Sequence, residues 1–343
     1  MIKFRATYVP VFVALLFSSS PTRGRVQDAG PVRCEESRIS MACAYTIVAF
    51  GRDGAELRRV ARLALDEVDR IDRLMSHYKT ASPLSAINRE AALGPVAPAA
   101  ELFDFIADCV RYSRESDGAF DITVGPLMKA WGFFRGEGRR PTAGELSEVR
   151  GRIGYRHLIL DPEAKTIRFD RDGVELDLGG IAKGYAVDRA VGVLKEHGIR
   201  SALVSAGGST IYGLGSPPDS PAWEIKIQDP VEHGRTALKV QLNDSAVSVS
   251  GNYEKFFEIG GVRYSHIMDP RTGWPAQEVL SVVVLAPTGT AGDALDNAFF
   301  VLGIDRTRAY LRRLPGPEAI FFLPQAGKRW RSVRLKSPLP RDR

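Results

Sequence analysis

Cysteine is scarce in this chain: Cys34, Cys43 and Cys109 are the only three among 343 residues. Three cysteines define no disulfide framework, and no Cys-x-x-Cys or His/Cys cluster points to a zinc site. Cys34 and Cys43 alone are close enough in sequence to pair in an oxidising compartment. Long apolar runs are missing after residue 17, so no later segment is suited to span a bilayer. Neither Gly-x-Gly-x-x-Gly nor Gly-x-x-x-x-Gly-Lys-Ser/Thr occurs, which disfavours a standard dinucleotide fold and a P-loop. The Gly-x-Ser-x-Gly elbow of serine hydrolases is absent too. Charge of one sign is in small excess only. The net charge is +6, and Lys3, Arg5, Arg23 and Arg25 against Asp28 account for half of it. What remains is too weak and dispersed to argue for nucleic acid. There is no internal repeat, and no Pro/Ser-rich linker divides the chain.

What is present belongs to a globular protein, with 44% apolar and 26% charged residues. Lys3 and Arg5 precede the apolar run Tyr8 to Phe17 and then Ser18-Ser19-Ser20. Charged start, short apolar middle and small residues read as a secretory signal over 1–28, with the uncleaved anchor as the rival reading. The folded part then spans 34–335, and 336–343 is a polar tail.

The stretch Asp177-Leu-Gly-Gly-Ile-Ala-Lys-Gly-Tyr-Ala-Val-Asp188 organises the rest. A β-type run, Val174 to Leu178, meets Gly179-Gly180. A helical run follows, with Ala186, Ala190, Val193 and Leu194 at helical spacing. Ala202 to Ser205 then leads to Gly207-Gly208. This order predicts a βαβ unit with a phosphate-sized gap at its glycine junction, where helix N–H groups and Lys183 favour an anion. The bland alternative is a glycine turn that only packs a helix on a sheet. Elsewhere Met41 to Phe50 reads as a strand, and Glu56 to Met75 as an amphipathic helix with Leu57, Val60, Ala64, Val68, Ile71 and Met75 on one stripe. Pro98 opens another helix that faces Leu102, Phe103, Ile106 and Val110 inward. Ala119 to Leu127 is β-like, and a charged, glycine-rich excursion runs on through Gly151. Trp223 to Ile227 and Leu238 to Leu242 alternate with period two. Phe256 to Tyr264 suggests a hairpin, and Ser281 to Ala286 a buried strand. Ala294 to Leu302 is a helix closed by Gly303. Asp305 to Leu314 is another helix, and Ala319 to Leu323 a last strand.

Three constellations could carry chemistry. His266 stands before Asp269-Pro-Arg-Thr-Gly273, either at a strand tip facing a ligand or beside a capped turn. Asp293, Asp296 and Asn297 share a helical face. Their hard oxygens suit Mg²⁺ or Ca²⁺, unless Asp293 merely complements a helix dipole. Tyr78, in a polar loop, could stack on a flat ring or simply snorkel at the surface.

In their order, these segments resemble the ApbE family of FAD:protein FMN transferases. The likeness rests on Met41, on Met75-Ser-His-Tyr78 through Asn88, and on Gly118 to Leu127 with Trp131-Gly-Phe133. It continues through Asp177 to Tyr185, Ser250-Gly251 with Tyr253, His266 to Gly273, and the helix from Asp293 to Gly303. The resemblance implies an α+β, T-fold-related, two-lobed mixed α/β fold, with antiparallel sheets and the βαβ unit at a nucleotide cleft. It implies transfer of FMN from FAD to a Ser or Thr hydroxyl of a partner protein, with release of AMP. Met41, Tyr78, Ala119, Phe120, Asp121, Asp177, Lys183 and Ile267 would line the FAD site. The Gly180 carbonyl with Asp293, Asp296 and Asn297 would hold Mg²⁺ or Ca²⁺, and His266 would be the catalytic residue. The partner would be an acceptor flavoprotein of an electron-transfer system, with room for a membrane-associated partner, and the location exported and periplasmic. Hydrolysis of FAD to FMN and AMP, and an exported FAD-binding protein with a weakened site, are the alternatives. Several positions depart from the family's usual residues. Met41-Ala42-Cys43 replaces Met-Gly-Thr, Pro83 a Glu, Ser209 an Asp, Val249 a Thr and Asn297 a Thr.

Overall fold

The structure is a computed structural model that describes residues 5–6 and 30–337, apart from 135, 233, 315 and 328. Apart from residues 5–6, the expected signal segment lies outside the described residues, as does most of the expected tail. The fold is mixed α+β. Two residues, β1 (Arg5–Ala6), lie antiparallel to a later hairpin. The hairpin β2 (Val32–Ser40) and β3 (Cys43–Gly51) turns through Met41 and Ala42, whose φ angles are 47° and 57°. Both residues are left-handed, as a two-residue primed turn demands. The expected strand therefore begins at Cys43 rather than Met41.

Helix α1 (Gly54–Met75) starts where the Asp53 side chain accepts from Ala55 and Glu56 N–H groups. All six residues expected on its stripe are buried. Helix α2 (Pro83–Glu90) is capped by Ser82, and α3 (Ala100–Glu115) buries Leu102, Phe103, Ile106 and Val110. The run expected as β-like over Ala119 to Leu127 is instead a tight turn leading into α4 (Gly125–Ala130). The excursion contains α5 (Ala143–Arg150), closed by a capping box of Thr142 and Glu145. A small hairpin, β4 (Leu158–Asp161) and β5 (Thr166–Phe169), follows.

Val174 to Leu178 joins no sheet, so the expected βαβ unit lacks its first strand. A side chain takes the place of a ladder. Asn88 donates to the Leu176 carbonyl at 3.0 Å and accepts its N–H at 2.8 Å. Asp177 N–H donates to the Ile122 carbonyl at 2.7 Å. Backbone groups satisfied this way have no need of a neighbouring strand. The helix α6 (Ala182–Glu196) and the strand β6 (Ser201–Ala206) follow as expected.

After β7 (Thr210–Leu214) come the paired strands β8 (Trp223–Gln228) and β9 (Thr236–Leu242), then β10 (Ser245–Gly251). The hairpin β11 (Lys255–Ile259) and β12 (Val262–Ser265) lies where expected, ahead of the short pair β13 (Met268–Asp269) and β14 (Trp274–Pro275). Strand β15 (Ser281–Ala286) leads into α7 (Gly289–Leu311), which Gly303 breaks into two arms at φ 69°. Strands β16 (Glu318–Gln325) and β17 (Arg329–Lys336) end the fold.

The main sheet has the order β17-β16-β15-β10-β7-β6-β3-β2, antiparallel throughout. Helices α1, α3, α6 and α7 pack one face in the largest core. On the other face Trp223, Ile225 and Ile227 of β8 join Val48, Leu203, Ile211, Val247 and Val283 in a second core. No helix among the described residues is long and apolar enough to cross a membrane. Cys34 faces Ala49 and Cys43 faces Ser40 across the first hairpin, and all three cysteines are free.

Candidate active site

One cavity, of about 640 Å³, opens between these layers. All thirteen residues singled out from the sequence line it: Met41, Tyr78, Ala119, Phe120, Asp121, Asp177, Gly180, Lys183, His266, Ile267, Asp293, Asp296 and Asn297. They come from six separate stretches of chain. Met41 occupies the strained turn at the rim, where Tyr45 donates its hydroxyl to the Met41 sulfur at 3.2 Å.

At one lip, the ring of Tyr78 stacks on Phe134 with centroids 4.8 Å apart and lies against His77 at 3.9 Å. His77 Nδ1 is 3.3 Å from Asp177 Oδ1, which also accepts from Gly179 N–H at 2.8 Å. Tyr78 itself is 62% exposed, so most of its surface is open to a ligand.

Asp121 is buried, and its carboxylate is already engaged. Oδ1 accepts from Thr123 N–H (2.9 Å) and Oγ1 (2.7 Å), and Oδ2 from Tyr155 N–H (2.7 Å). Burial pushes its pKa up, although these donors oppose the rise. The side chain thus ties down the turn that presents Ala119 and Phe120.

The glycine junction leads to Lys183, whose Nζ donates to Ser209 Oγ at 2.6 Å. Burial disfavours the ammonium charge, but Asp293 with Glu254 outweighs it and holds the pKa above its ordinary value. Asp293 Oδ2 accepts from Gly184 N–H at 2.7 Å, while Oδ1 accepts from Thr210 Oγ1 and from Ser248 Oγ at 3.1 Å. This carboxylate therefore clamps the start of α6 to strands β7 and β10, and occupies part of the helix terminus expected to face an anion. The close approach is possible because Gly184 meets Gly289, where a Cβ would lie 2.1 Å from the Gly289 oxygen.

Among the described residues, no three His, Cys, Asp or Glu side chains gather as a metal cluster. The candidate donors are instead mixed. Asn297 Nδ2 donates to Gly180 O (3.1 Å), Asp293 O (2.9 Å) and Asp296 Oδ1 (2.9 Å). Three acceptor oxygens around one amide are a fit for a hard cation once the amide turns to offer its own oxygen. Within that set Asp296 supplies the carboxylate, and Asp293 is turned to α6. Burial, then the neighbouring Asp293, pushes the Asp296 pKa well up.

His266 lies half-buried in the cavity lining, following β12. Its Nδ1 is 3.2 Å from the Lys255 carbonyl. A carbonyl only accepts, so Nδ1 carries the hydrogen and Nε2 keeps a lone pair. Withdrawal from water, with Lys255 and Lys183 adding, pushes the imidazole pKa down to about 3. The ring is neutral at pH 7.

Cys43, His77, Phe134, Ser209 and Glu254 also belong to the site, the first two and last two as wall residues and Phe134 through its stack on Tyr78. Sequence reasoning gave none of them a role, although His77 stands beside Tyr78 in a polar loop and Cys43 and Ser209 stand where the family usually has Thr and Asp.

The profile of the ApbE family matches residues 41–321. A Treponema pallidum protein named FAD:protein FMN transferase is 34% identical over 288 residues, covering 80% of this chain and 79% of its own. One of the same name from Escherichia coli K12 is 30% identical, covering 95% and 96%. Among solved structures, the Thermotoga maritima ApbE protein superposes with a TM-score of 0.80 at 30% identity, over 89% of this chain and 97% of that one. The Pseudomonas stutzeri flavinyl transferase ApbE gives 0.80 at 29%, over 91% and 97%.

Proposed function

Because the chain belongs to the ApbE family, we propose that it is a FAD:protein FMN transferase. It moves the FMN part of FAD onto a Ser or Thr hydroxyl of an acceptor protein and releases AMP. The observation that carries this reading is the convergence of thirteen residues from six stretches on one cavity.

The chemistry follows from the walls. Tyr78 and Phe120 offer aromatic faces for the flavin or adenine ring. Lys183 and the bend at Gly179-Gly180 meet the diphosphate. Gly180 O, Asp296 and Asn297 would hold Mg²⁺, with Asp293 fixing their helix. A bound divalent cation spreads the negative charge of the diphosphate. His266 Nε2 takes the proton of the acceptor hydroxyl as its oxygen bonds to the FMN phosphorus, and the bond from that phosphorus to the AMP oxygen breaks. AMP leaves as a phosphate monoester and needs no proton from the protein. An imidazole held near pKa 3 is a weak base in the empty cavity. The diphosphate brings negative charge beside it and raises its proton affinity where it is needed.

Export of the chain and an acceptor in an electron-transfer system complete the proposal. The support for export is the charged and apolar pattern of residues 1–28. The test is purified protein with FAD, Mg²⁺ and an acceptor domain bearing an accessible Ser or Thr. Covalent flavin fluorescence on the acceptor supports transfer. Free FMN with no labelled acceptor would replace the proposal by hydrolysis, and unchanged bound FAD by a binding protein.

A further inference from the structure

The small net charge hides a segregation along the chain. Residues 305–343 carry eleven Lys and Arg against three Asp and Glu, whereas 30–304 carry 32 against 37. The body is therefore acidic, and the positive excess beyond residue 29 sits at the C-terminal end. The described residues of that end form the helix arm after Gly303 and the strands β16 and β17. Strand β17 is the outermost of the main sheet. No residue beyond Val301 lines the cavity of the site.

The helix arm and the edge strand meet at their ends. Ser337, just after β17, donates its N–H to the Pro317 carbonyl at 3.3 Å and its hydroxyl to the Leu314 carbonyl at 2.7 Å. Arg312 and Arg313 close the helix arm, Arg306 lies about two turns earlier, and all three are exposed. On β17, Val333 and Leu335 turn to the helix-side core, and Arg331 of the same row is exposed. Arg334 and Lys336 belong to the opposite row and share Glu318, Lys336 at 3.6 Å. Because β17 is the edge of the sheet, both rows border one rim. Arg308 pairs with Asp305 at 2.9 Å. Those pairs use both acidic side chains of the described end. Among the described residues, Arg306, Arg312, Arg313 and Arg331 have no carboxylate partner. The rim is also without exposed apolar bulk, since none of the large apolar side chains exposed among the described residues lies beyond Trp274.

We propose that this rim is a docking surface for an anionic lipid bilayer, whose headgroup phosphates meet its arginines. The occupant follows from what the rim has and what it lacks. Protein partners are held chiefly by aromatic or apolar anchors with charge around them, and the rim exposes no such anchor. A headgroup layer asks only for cations free to face it, and each Lys or Arg near it strengthens partitioning about fivefold. Acidic side chains elsewhere on the body are repelled by the same surface, which orients the chain with its C-terminal end toward the bilayer. Since no residue of the rim lines the cavity, adhesion leaves the opening free. The inference stands independently of the transferase reading.

The experiment mixes the purified full chain with vesicles of phosphatidylcholine alone, or of phosphatidylcholine with phosphatidylglycerol, and measures co-sedimentation. Comparing the two vesicles separates charge from insertion of the apolar run Tyr8 to Phe17, which either would take up. Two triple variants lose equal charge. One combines Arg312→Ala, Arg313→Ala and Arg331→Ala. The other combines Arg52→Ala, Arg58→Ala and Arg200→Ala, at exposed positions outside the rim. The native chain should prefer the anionic vesicles and lose that preference in about 1 M salt, where the screening length falls to about 3 Å. The rim triple should weaken partitioning about a hundredfold and the other less than about threefold, both with native denaturant midpoints. Should the rim triple unfold, Arg331→Gln alone reads the same effect at about fivefold. Equal partitioning of the native chain onto both vesicles overturns the proposal. So does equal loss in the two triples, which would make the attraction one of net charge alone. Failure to bind either vesicle, with retention on immobilised polyglutamate that the rim triple loses, would give the rim to an acidic protein instead.

Discussion

Ala42 turns through φ 57° at the lip of the cavity, a left-handed conformation that an L side chain resists. The family resemblance puts a glycine there. Ala42→Gly should therefore stabilise the protein by about 1 kcal/mol, read as a higher denaturant midpoint with an unchanged slope. Equal or lower stability would show that the turn is not strained. His266 offers a test with a definite sign. The folded chain binds a proton there only near pH 3, while an unfolded chain does so near 6.5. Stability from this residue is present above 6.5 and is lost as pH falls from 6.5 toward 3. His266→Gln should lose less stability than the native chain between about pH 7 and pH 4.5. Parallel losses would mean that the ring is not held neutral. The same variant should transfer FMN at least about a hundredfold more slowly with FAD binding retained, if Nε2 is the base. Equal loss of binding and transfer would assign His266 to FAD binding instead.

Among the elements, the extended run at Val174 to Leu178 depends on one side chain from α2. Asn88→Ala leaves the N–H and carbonyl of Leu176 without partners. It should cost about 2 kcal/mol and weaken FAD binding by loosening Asp177 to Gly180. Thermal unfolding and a binding titration check both, and an unchanged FAD affinity would show that the junction holds its shape alone. The contact of α6 with α7 is less forgiving. Gly184→Ala should cost about 3 kcal/mol, because its new methyl would meet the Gly289 oxygen. The same contrast explains what the sequence disclosed. The stripe from Leu57 to Met75 repeats over about five turns, and Val282 to Ala286 is apolar throughout, so local pattern suffices for both. Val174 to Leu178 has strand composition, yet its partner is a side chain 88 residues away. The two outer strands of the sheet were passed over because each is half solvated: Val32 to Ser40 and Arg329 to Lys336 carry charges where inner strands carry valine. Helix α5 was missed despite a visible signal, the Thr142/Glu145 pair. At the site, ordered motifs supplied thirteen residues. Phe134 and Glu254 join through contacts that no single segment encodes.

For the molecule as a whole, two layers on opposite faces of one antiparallel sheet leave a shared opening, with a polar end at Lys183, Asp296 and His266 and an apolar end at β8. That division suits a reaction with two large substrates: a nucleotide gripped at its diphosphate and a chain that delivers a hydroxyl. Asn297 lines the same opening, its amide nitrogen donating to Gly180 O, Asp293 O and Asp296 Oδ1. The most direct test is a crystal structure of the full chain with FAD and Mg²⁺. The expected result places the diphosphate against Lys183 Nζ, the cation among Gly180 O, Asp296 and a turned Asn297, and His266 Nε2 on the side of the FMN phosphorus away from AMP. FAD bound with its diphosphate remote from Lys183 and the Gly179-Gly180 bend would contradict it.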